Sequence, residues 1–127
     1  MSIFPSRILL AIDGSEETKL AIRNAVDLAD ATGSELHLVY VGQLPNFLMK
    51  DFDIMGVDRI GVDRKLYDEL ERESLEILRR LTWQVKASGA AVAGAHLRMG
   101  GVAGELVTLA KDLEADLIVI GSRATVG

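Results

Sequence analysis

The chain of 127 residues contains no cysteine. It can therefore form neither a disulfide framework nor a zinc site with thiolate ligands. No apolar run approaches the length that a membrane-spanning helix needs, and the N-terminus lacks the charged segment and long apolar stretch of a secretory signal. We accordingly expect a soluble protein of the cytoplasm that has no membrane partner.

An excess of positive charge is also missing. The 14 lysines and arginines are outnumbered by 19 aspartates and glutamates, which gives a net charge of −5 with both signs interspersed. Nucleic acids and anionic surfaces attract proteins with a surplus of basic residues, so we expect no nucleic-acid partner. The composition, 49% hydrophobic and 26% charged, is typical of a globular chain. We predict that residues 1–127 form one domain.

Apolar strands and amphipathic helices alternate along the chain. Continuous apolar runs, the pattern of strands buried on both faces, predict four strands, at residues 7–13, 35–41, 91–99 and 116–120. Helical periodicity predicts two long helices, at residues 16–32 and 63–88, and a short one after Gly100 and Gly101. This alternation predicts an α/β fold with a parallel sheet, right-handed crossovers and helices on both faces.

The sequence also marks the ends and faces of the helices. Ser15 is a candidate N-cap, and Gly33 is expected to end the first helix. Leu20 and nearby alanines are predicted to form the inward stripe of that helix. On the long helix, we interpret Trp83 as a residue of the core or of helix packing.

Residues 43–62 interrupt the regular pattern. Pro45 and two glycines are mixed there with apolar residues such as Phe47 and Met55. We predict an irregular, apolar connection, because long loops in compact domains are usually functional or disordered, and apolar residues favour packing. The sequence leaves open whether this segment is a lid or a surface that packs on a partner.

Ligands of open α/β sheets bind beyond the carboxyl ends of the strands, where the strand order reverses. Three loops with glycine are expected there, at residues 13–15, 100–104 and 121–127. Acidic residues follow the first two loops, so they already occupy helix ends that would attract a phosphate. The third loop has no acid. Its Ser122 and Arg123 suit a phosphate, and Gly121 permits a positive φ and a close approach of a ligand.

Three other polar residues need weighing. Asp13, at the end of the first strand, has two interpretations of equal weight. In the first, it contacts a ligand, either by coordinating Mg²⁺ or by accepting a hydrogen bond from a ribose hydroxyl. In the second, it only stabilises the turn into the helix. His37 and His96 lie on separate predicted strands without cysteines or paired acids nearby. We interpret both histidines as packing residues and not as metal ligands.

Three segments together resemble the universal stress protein family: ILLAIDGS at residues 8–15, Gly101-x-Ala103-x-x-Leu106, and ADLIVIGSR at residues 115–123. The resemblance covers essentially the whole chain. It implies a Rossmann-like, three-layer sandwich with a parallel sheet of order 3-2-1-4-5. The fifth strand, a common dimer contact in the family, would follow Gly127. We therefore expect the order 3-2-1-4 here, from a C-terminally truncated chain whose fourth strand is an open edge.

The resemblance also implies a site for ATP or another adenine nucleotide. Ala11, Ile12 and Asp13 would line the adenine and ribose, and Val41 would meet adenine through its backbone. The family's phosphate-binding pattern is glycine, two residues, glycine, nine residues, then glycine and a hydroxyl residue. It begins here at Gly121, but Ala124 replaces its second glycine. The implied nucleotide-binding set is Ala11, Ile12, Asp13, Gly14, Ser15, Val41, Gly121, Ser122, Arg123 and Gly127.

These expectations give a function and an alternative. The resemblance implies a homodimeric signalling or sensor module of the stress response, with ATP and Mg²⁺ as cofactors and Asp13 holding the metal indirectly. Since the sequence offers neither a general base nor a nucleophile, we expect no enzyme, and slow ATP hydrolysis at most. The alternative is a family member that binds no nucleotide and acts as a dimeric protein-interaction module. Ala124 and residues 43–62 motivate it.

Overall fold

The computed structural model describes residues 4–45 and 61–121. Within them, four strands form one parallel sheet: β1 Arg7–Ala11, β2 Glu35–Gly42, β3 Gly94–Met99 and β4 Leu117–Ile120. Three helices alternate with the strands: α1 Glu16–Thr32, α2 Gly61–Ala87 and α3 Val102–Leu113. The strand order is β3-β2-β1-β4. The predicted three-layer α/β fold and its strand order are therefore confirmed.

The direction of each crossover decides which face of the sheet a helix covers. The chain moves from β1 to β2 to β3 in one direction, so α1 and α2 cover the same face. It then returns across the sheet from β3 to β4, which places α3 on the opposite face. We call these the two-helix face and the one-helix face. Two separate apolar clusters follow from this arrangement.

β1 connects the two clusters. Ile8 and Leu10 belong to the cluster of the two-helix face, whereas Leu9 belongs to that of the one-helix face. All three side chains are fully buried, because β1 has a strand on each side and helices above and below. The continuous apolar run predicted this double burial. β1 is also where the strand order reverses, since the chain leaves it toward β2 and returns to its other side as β4.

The predicted ends of α1 are confirmed. The Ser15 hydroxyl accepts a hydrogen bond from Thr18 N–H at 3.3 Å, as expected for an N-cap. Gly33 ends the helix with a φ of 73°, and its N–H donates to Ala29 O at 2.8 Å. This left-handed conformation strains residues with a Cβ, which explains the glycine.

Two side chains predicted to be inside are on the surface. Leu20 is 60% exposed, because the buried stripe of α1 consists of Thr18, Ala21 and Ala25. These small residues let α1 lie close to the sheet, and Leu20 is rotated away from their face. Trp83 on α2 is 70% exposed, so its interpretation as a core residue is wrong.

Some element bounds also differ from those predicted. The β1 ladder ends at Ala11, after which Ile12 N donates to Val39 O at 2.9 Å and the chain turns toward α1. The helix α2 begins at Gly61, so the irregular connection predicted for residues 43–62 is two residues too long at its end. Residues 46–60 of that connection lie outside the described part of the chain. None of the described helices is both long and apolar enough to cross a bilayer.

Candidate functional site

A cavity of about 460 Å³ opens at the carboxyl end of the sheet. The ends of β1, β2 and β4, the middle of α2 and the first residue of α3 form its walls. The lining residues at the strand ends are Ala11, Ile12, Asp13, Val39, Tyr40, Val41, Gln43, Ile120 and Gly121. Those from the helices are Leu70, Glu73, Ser74, Ile77 and Val102. The cavity thus lies where the strand order reverses, as expected for an open α/β sheet.

Five of the residues predicted for a nucleotide site line this cavity: Ala11, Ile12, Asp13, Val41 and Gly121. They come from three strands, so the fold brings together positions far apart in the sequence. Gly14 and Ser15 lie in the adjoining turn between β1 and α1 and are not among the lining residues. Ser122, Arg123 and Gly127, as well as Ala124, lie outside the described residues.

The Asp13 carboxylate organises the turn into α1. Its Oδ1 atom accepts hydrogen bonds from Ser15 N–H at 2.9 Å and from Ser15 Oγ at 2.7 Å. It also accepts one from the hydroxyl of Thr18, whose side chain is only 2% exposed. Gly14 between them has a φ of 82°, which glycine adopts without strain. Asp13 therefore stabilises the turn into α1, and its predicted contact with a ligand stays a prediction.

Gly121 packs against the first turn of α1. A Cβ atom at this position would lie 2.7 Å from Glu17 O and 2.9 Å from Thr18 Cα, both closer than real Cβ contacts. Its φ does not lie in the left-handed region, so the positive φ that glycine permits is not used here. The glycine is needed because β4 ends directly against the backbone of α1. This packing gives it a structural role that the sequence alone did not predict.

The backbone of Val41 faces the cavity. Along β2, the carbonyl groups of Leu36 and Gly42 accept hydrogen bonds from the β3 side, whereas that of Val39 accepts from Ile12 on the β1 side. Backbone groups alternate along a strand, so the N–H and C=O of Val41 point in the same direction as those of Val39. The β1–β2 ladder ends at the pair of Ala11 and Val39. Val41 therefore presents a donor and an acceptor to the space beyond β1.

Most residues in the described walls of the cavity are apolar, and two acidic side chains lie among them. Asp13 and Glu73 are the charged residues of the described lining. Glu16 and Glu17 lie in the first turn of α1, as predicted, and occupy the positive end of that helix dipole. Carboxylates accept hydrogen bonds from hydroxyl and amino groups. This part of the cavity can therefore hold a flat, apolar ring with attached hydroxyl or amino groups.

One wall of the cavity was missed by the sequence reasoning. Leu70, Glu73, Ser74 and Ile77 project from one side of α2, at the spacing of helical neighbours. Ser74 is buried against Gly42, where an added Cβ would lie within 3 Å of the Ser74 hydroxyl. The apolar stripe of α2 was visible in the sequence. Its position over the end of β2 depends on tertiary packing, and no local signal gives it.

The two histidines lie on the one-helix face and contact each other. His37 Nδ1 is 3.2 Å from His96 Nε2, and His37 Nε2 is 3.1 Å from Glu35 Oε1. Burial, together with the nearby His37 and Arg98, lowers the pKa of His96. The described residues contain no group of three or more histidines or acids that could hold a metal ion. The packing role predicted for the histidines agrees with these contacts, but their pairing was not foreseen.

Comparison with known proteins decides the family. The universal stress protein family model matches residues 5–127. The chain belongs to the universal stress protein family. It is 29% identical over 123 residues to universal stress protein YxiE of Bacillus subtilis, covering 96% of this chain and 82% of that relative.

Solved structures of the family show the same fold. A universal stress protein from Burkholderia pseudomallei is 30% identical, with a TM-score of 0.64 over 92% of this chain and 81% of that one. A universal stress protein in complex with cAMP is 22% identical, with a TM-score of 0.61 over 90% of this chain and 74% of that one. The first likeness supports the family, and the second supports the fold.

Proposed function

We propose that this universal stress protein binds an adenine nucleotide, such as ATP, in the cavity at the carboxyl end of its sheet. One observation carries the proposal. The cavity of about 460 Å³ is lined by five residues from three strands at which the family resemblance implies nucleotide contacts. Its position at the reversal of strand order is the usual ligand site of this fold class.

The geometry gives each part of the nucleotide a partner. Adenine would lie against the apolar walls near Ile12 and Ile77, with its polar edge toward the N–H and C=O of Val41. The Asp13 carboxylate, at the end of β1, would accept a hydrogen bond from a ribose hydroxyl. The phosphates would contact Gly121 and, as the family resemblance implies, Ser122 and Arg123. Mg²⁺ would neutralise part of the phosphate charge, with Asp13 holding it indirectly.

The nucleotide would act as a signal and not as a substrate. We propose a sensor or signalling module of the stress response, because the cavity residues include neither a paired base and nucleophile nor a metal cluster among those described. Hydrolysis of ATP would be slow at most. The related fold solved with cAMP supports an adenine nucleotide as the ligand class.

Two valines of α3 offer a matched test. Val102 lines the cavity, whereas Val107, on the same helix, is 50% exposed and outside the cavity lining. We expect Val102→Trp to fill part of the cavity and weaken binding of ATP with Mg²⁺ by at least about tenfold. Val107→Trp should bind like the parent. Isothermal titration calorimetry measures both, with cAMP as a second ligand. No binding to the folded parent, or equal loss in both variants, would contradict the proposal.

A second candidate function is a dimeric protein-interaction module without nucleotide. The observation that favours it is the position of β4 at an edge of the described sheet, with Ile120 52% exposed. Open apolar edges pair readily with another chain. Sedimentation of the nucleotide-free protein measures the dimer, and titration with nucleotide separates the two candidates. A stable dimer that titration shows to bind no nucleotide supports the second, and nucleotide binding supports the first.

A further inference from the structure

The only tryptophan of the chain lies beside a surface groove. Trp83 is 70% exposed on α2. The groove has a volume of about 370 Å³ and is lined by Leu75, Leu78, Arg79, Thr82, Trp83, Lys86 and Ala95. Because Ala95 belongs to β3, the groove runs between α2 and the outer strand of the sheet. Exposed aromatic side chains of this kind are enriched where proteins bind each other.

The neighbouring strand has an open edge. β3 is the last strand on its side of the described sheet. Gly100 N donates to Gly42 O at 2.9 Å, and His96 is paired with Val39 in the register of β3 and β2, so the alternation of backbone groups directs those of His96 and Arg98 toward β2. The N–H and C=O groups of Ala95 and Leu97 therefore point outward. An outward row of this kind can pair with an extended segment of another chain.

The charges of the groove select the occupant. The charged residues that line it, Arg79 and Lys86, are both basic and lie on either side of Trp83 along α2. This local excess contrasts with the net charge of −5 of the whole chain. Complementarity therefore favours an acidic partner.

We propose that this groove and the adjoining edge of β3 bind an extended, acidic segment of another protein. The segment adds a strand to the sheet by pairing with the outward backbone groups of Ala95 and Leu97. One of its apolar side chains packs on Trp83, and its carboxylates face Arg79 and Lys86. The groove shares no lining residue with the nucleotide cavity, so this inference is independent of nucleotide binding.

The single tryptophan makes the test direct. The probe is a short peptide that alternates glutamate and valine, and its counterpart alternates lysine and valine. We expect the glutamate peptide to shift the emission of Trp83 to shorter wavelength in a saturable titration. The lysine peptide should bind at least about tenfold more weakly.

Two variants separate the charge contribution from the strand pairing. Arg79→Glu should weaken binding of the glutamate peptide by roughly tenfold, whereas Arg80→Glu, next to it but outside the groove lining, should change it little. Ala95→Pro removes an outward N–H and spares the ladder to β2, so it should abolish binding. If the proline variant fails to fold by circular dichroism, the two arginine variants still decide the result.

Several results would overturn the inference. One is the absence of any emission change up to about millimolar glutamate peptide. Another is equal binding of the acidic and basic peptides, or binding to a folded Ala95→Pro variant with parent affinity. A shift of Trp83 emission with protein concentration alone, accompanied by a dimer in sedimentation, would show that a second copy covers the groove.

Discussion

The two ends of the parallel sheet are built from different chemistry. At the amino end, polar side chains bind one another: Glu35 Oε1 lies 3.3 Å from Arg7 Nε and 3.1 Å from His37 Nε2. Asp116 Oδ2 accepts hydrogen bonds from the N–H groups of Ser6 and Arg7. At the carboxyl end, the strands open into turns around a cavity of about 460 Å³.

The difference shows how one sheet divides stability from binding. Polar groups at the amino end satisfy each other, so they tie the starts of β1, β2 and β4 together. At the carboxyl end, Val41 extends beyond the β1 ladder, with its backbone groups directed to the cavity. Groups that the fold leaves available are the ones a ligand can use. Changes at the amino end should therefore affect folding, and changes at the carboxyl end should affect binding as well.

The largest expected effect is at Gly121, where β4 meets α1. Gly121→Ala places a Cβ 2.7 Å from Glu17 O, so backbone must move, and we expect a loss of about 1–3 kcal/mol of unfolding free energy. Gly104→Ala in α3 is the control. Nothing lies within 4 Å of its Cβ, and we expect a gain of about 0.5–1 kcal/mol. Urea unfolding measures both, and equal effects would contradict the packing role of Gly121.

A smaller effect is expected when the pH is lowered, because His96 then affects the stability of the folded protein. The pKa of His96 lies below its ordinary value of 6.5, so the unfolded chain takes up a proton at higher pH than the folded protein. The stability due to neutral His96 is thus complete above pH 6.5 and is lost as the pH falls toward its folded pKa. We expect the urea midpoint to drop in this range, and His96→Gln to reduce the drop.

The charge of Glu35 does not change in the pH range of this measurement. Its hydrogen bond with His37, together with Arg7, holds its pKa below 4.5, so it stays ionised throughout the range. Nucleotide affinity at the other end of the sheet should be the same in the parent and in His96→Gln. If the urea midpoint falls with pH as steeply in His96→Gln as in the parent, His96 does not couple stability to pH.

The smallest effect is expected for the ion pair between Arg7 and Glu35. Both side chains are well exposed, so water and salt screen their attraction. A double-mutant cycle with Arg7→Ala and Glu35→Ala should give a coupling energy well below the effect of Gly121→Ala. That coupling should shrink further at high salt. A large coupling that does not depend on salt would refute this description of the amino end.

The sequence was most informative about local structure. The apolar runs predicted all four described strands, and Ser15 and Gly33 marked both ends of α1, because these signals depend on neighbouring residues. Leu20 and Trp83 were placed wrongly, since the rotation of a helix against the sheet is set by tertiary packing. The homodimer, the cytoplasmic location and the single-domain boundaries stay predictions.

Five of the fourteen described residues that line the candidate site could be predicted. The strand ends carrying Ala11, Asp13 and Val41 follow from the rule for parallel sheets and from the family resemblance. The wall formed by Glu73 and Ile77 could not, because it depends on where α2 crosses the sheet. The close contact of Gly121 with α1 joins residues more than a hundred positions apart, and no short motif reports it.

The division between the two ends is tested most directly by a matched pair of aspartates. Asp13 lies in the cavity lining at the end of β1, and Asp116 binds backbone N–H groups at the amino end. Calorimetric titration of ATP with Mg²⁺ would compare Asp13→Ala, Asp116→Ala and the parent, each shown to be folded by circular dichroism. We predict that Asp13→Ala loses at least about tenfold in affinity and that Asp116→Ala keeps the parent affinity. Equal losses in the two variants, or parent affinity in Asp13→Ala, would contradict a nucleotide site at the carboxyl end.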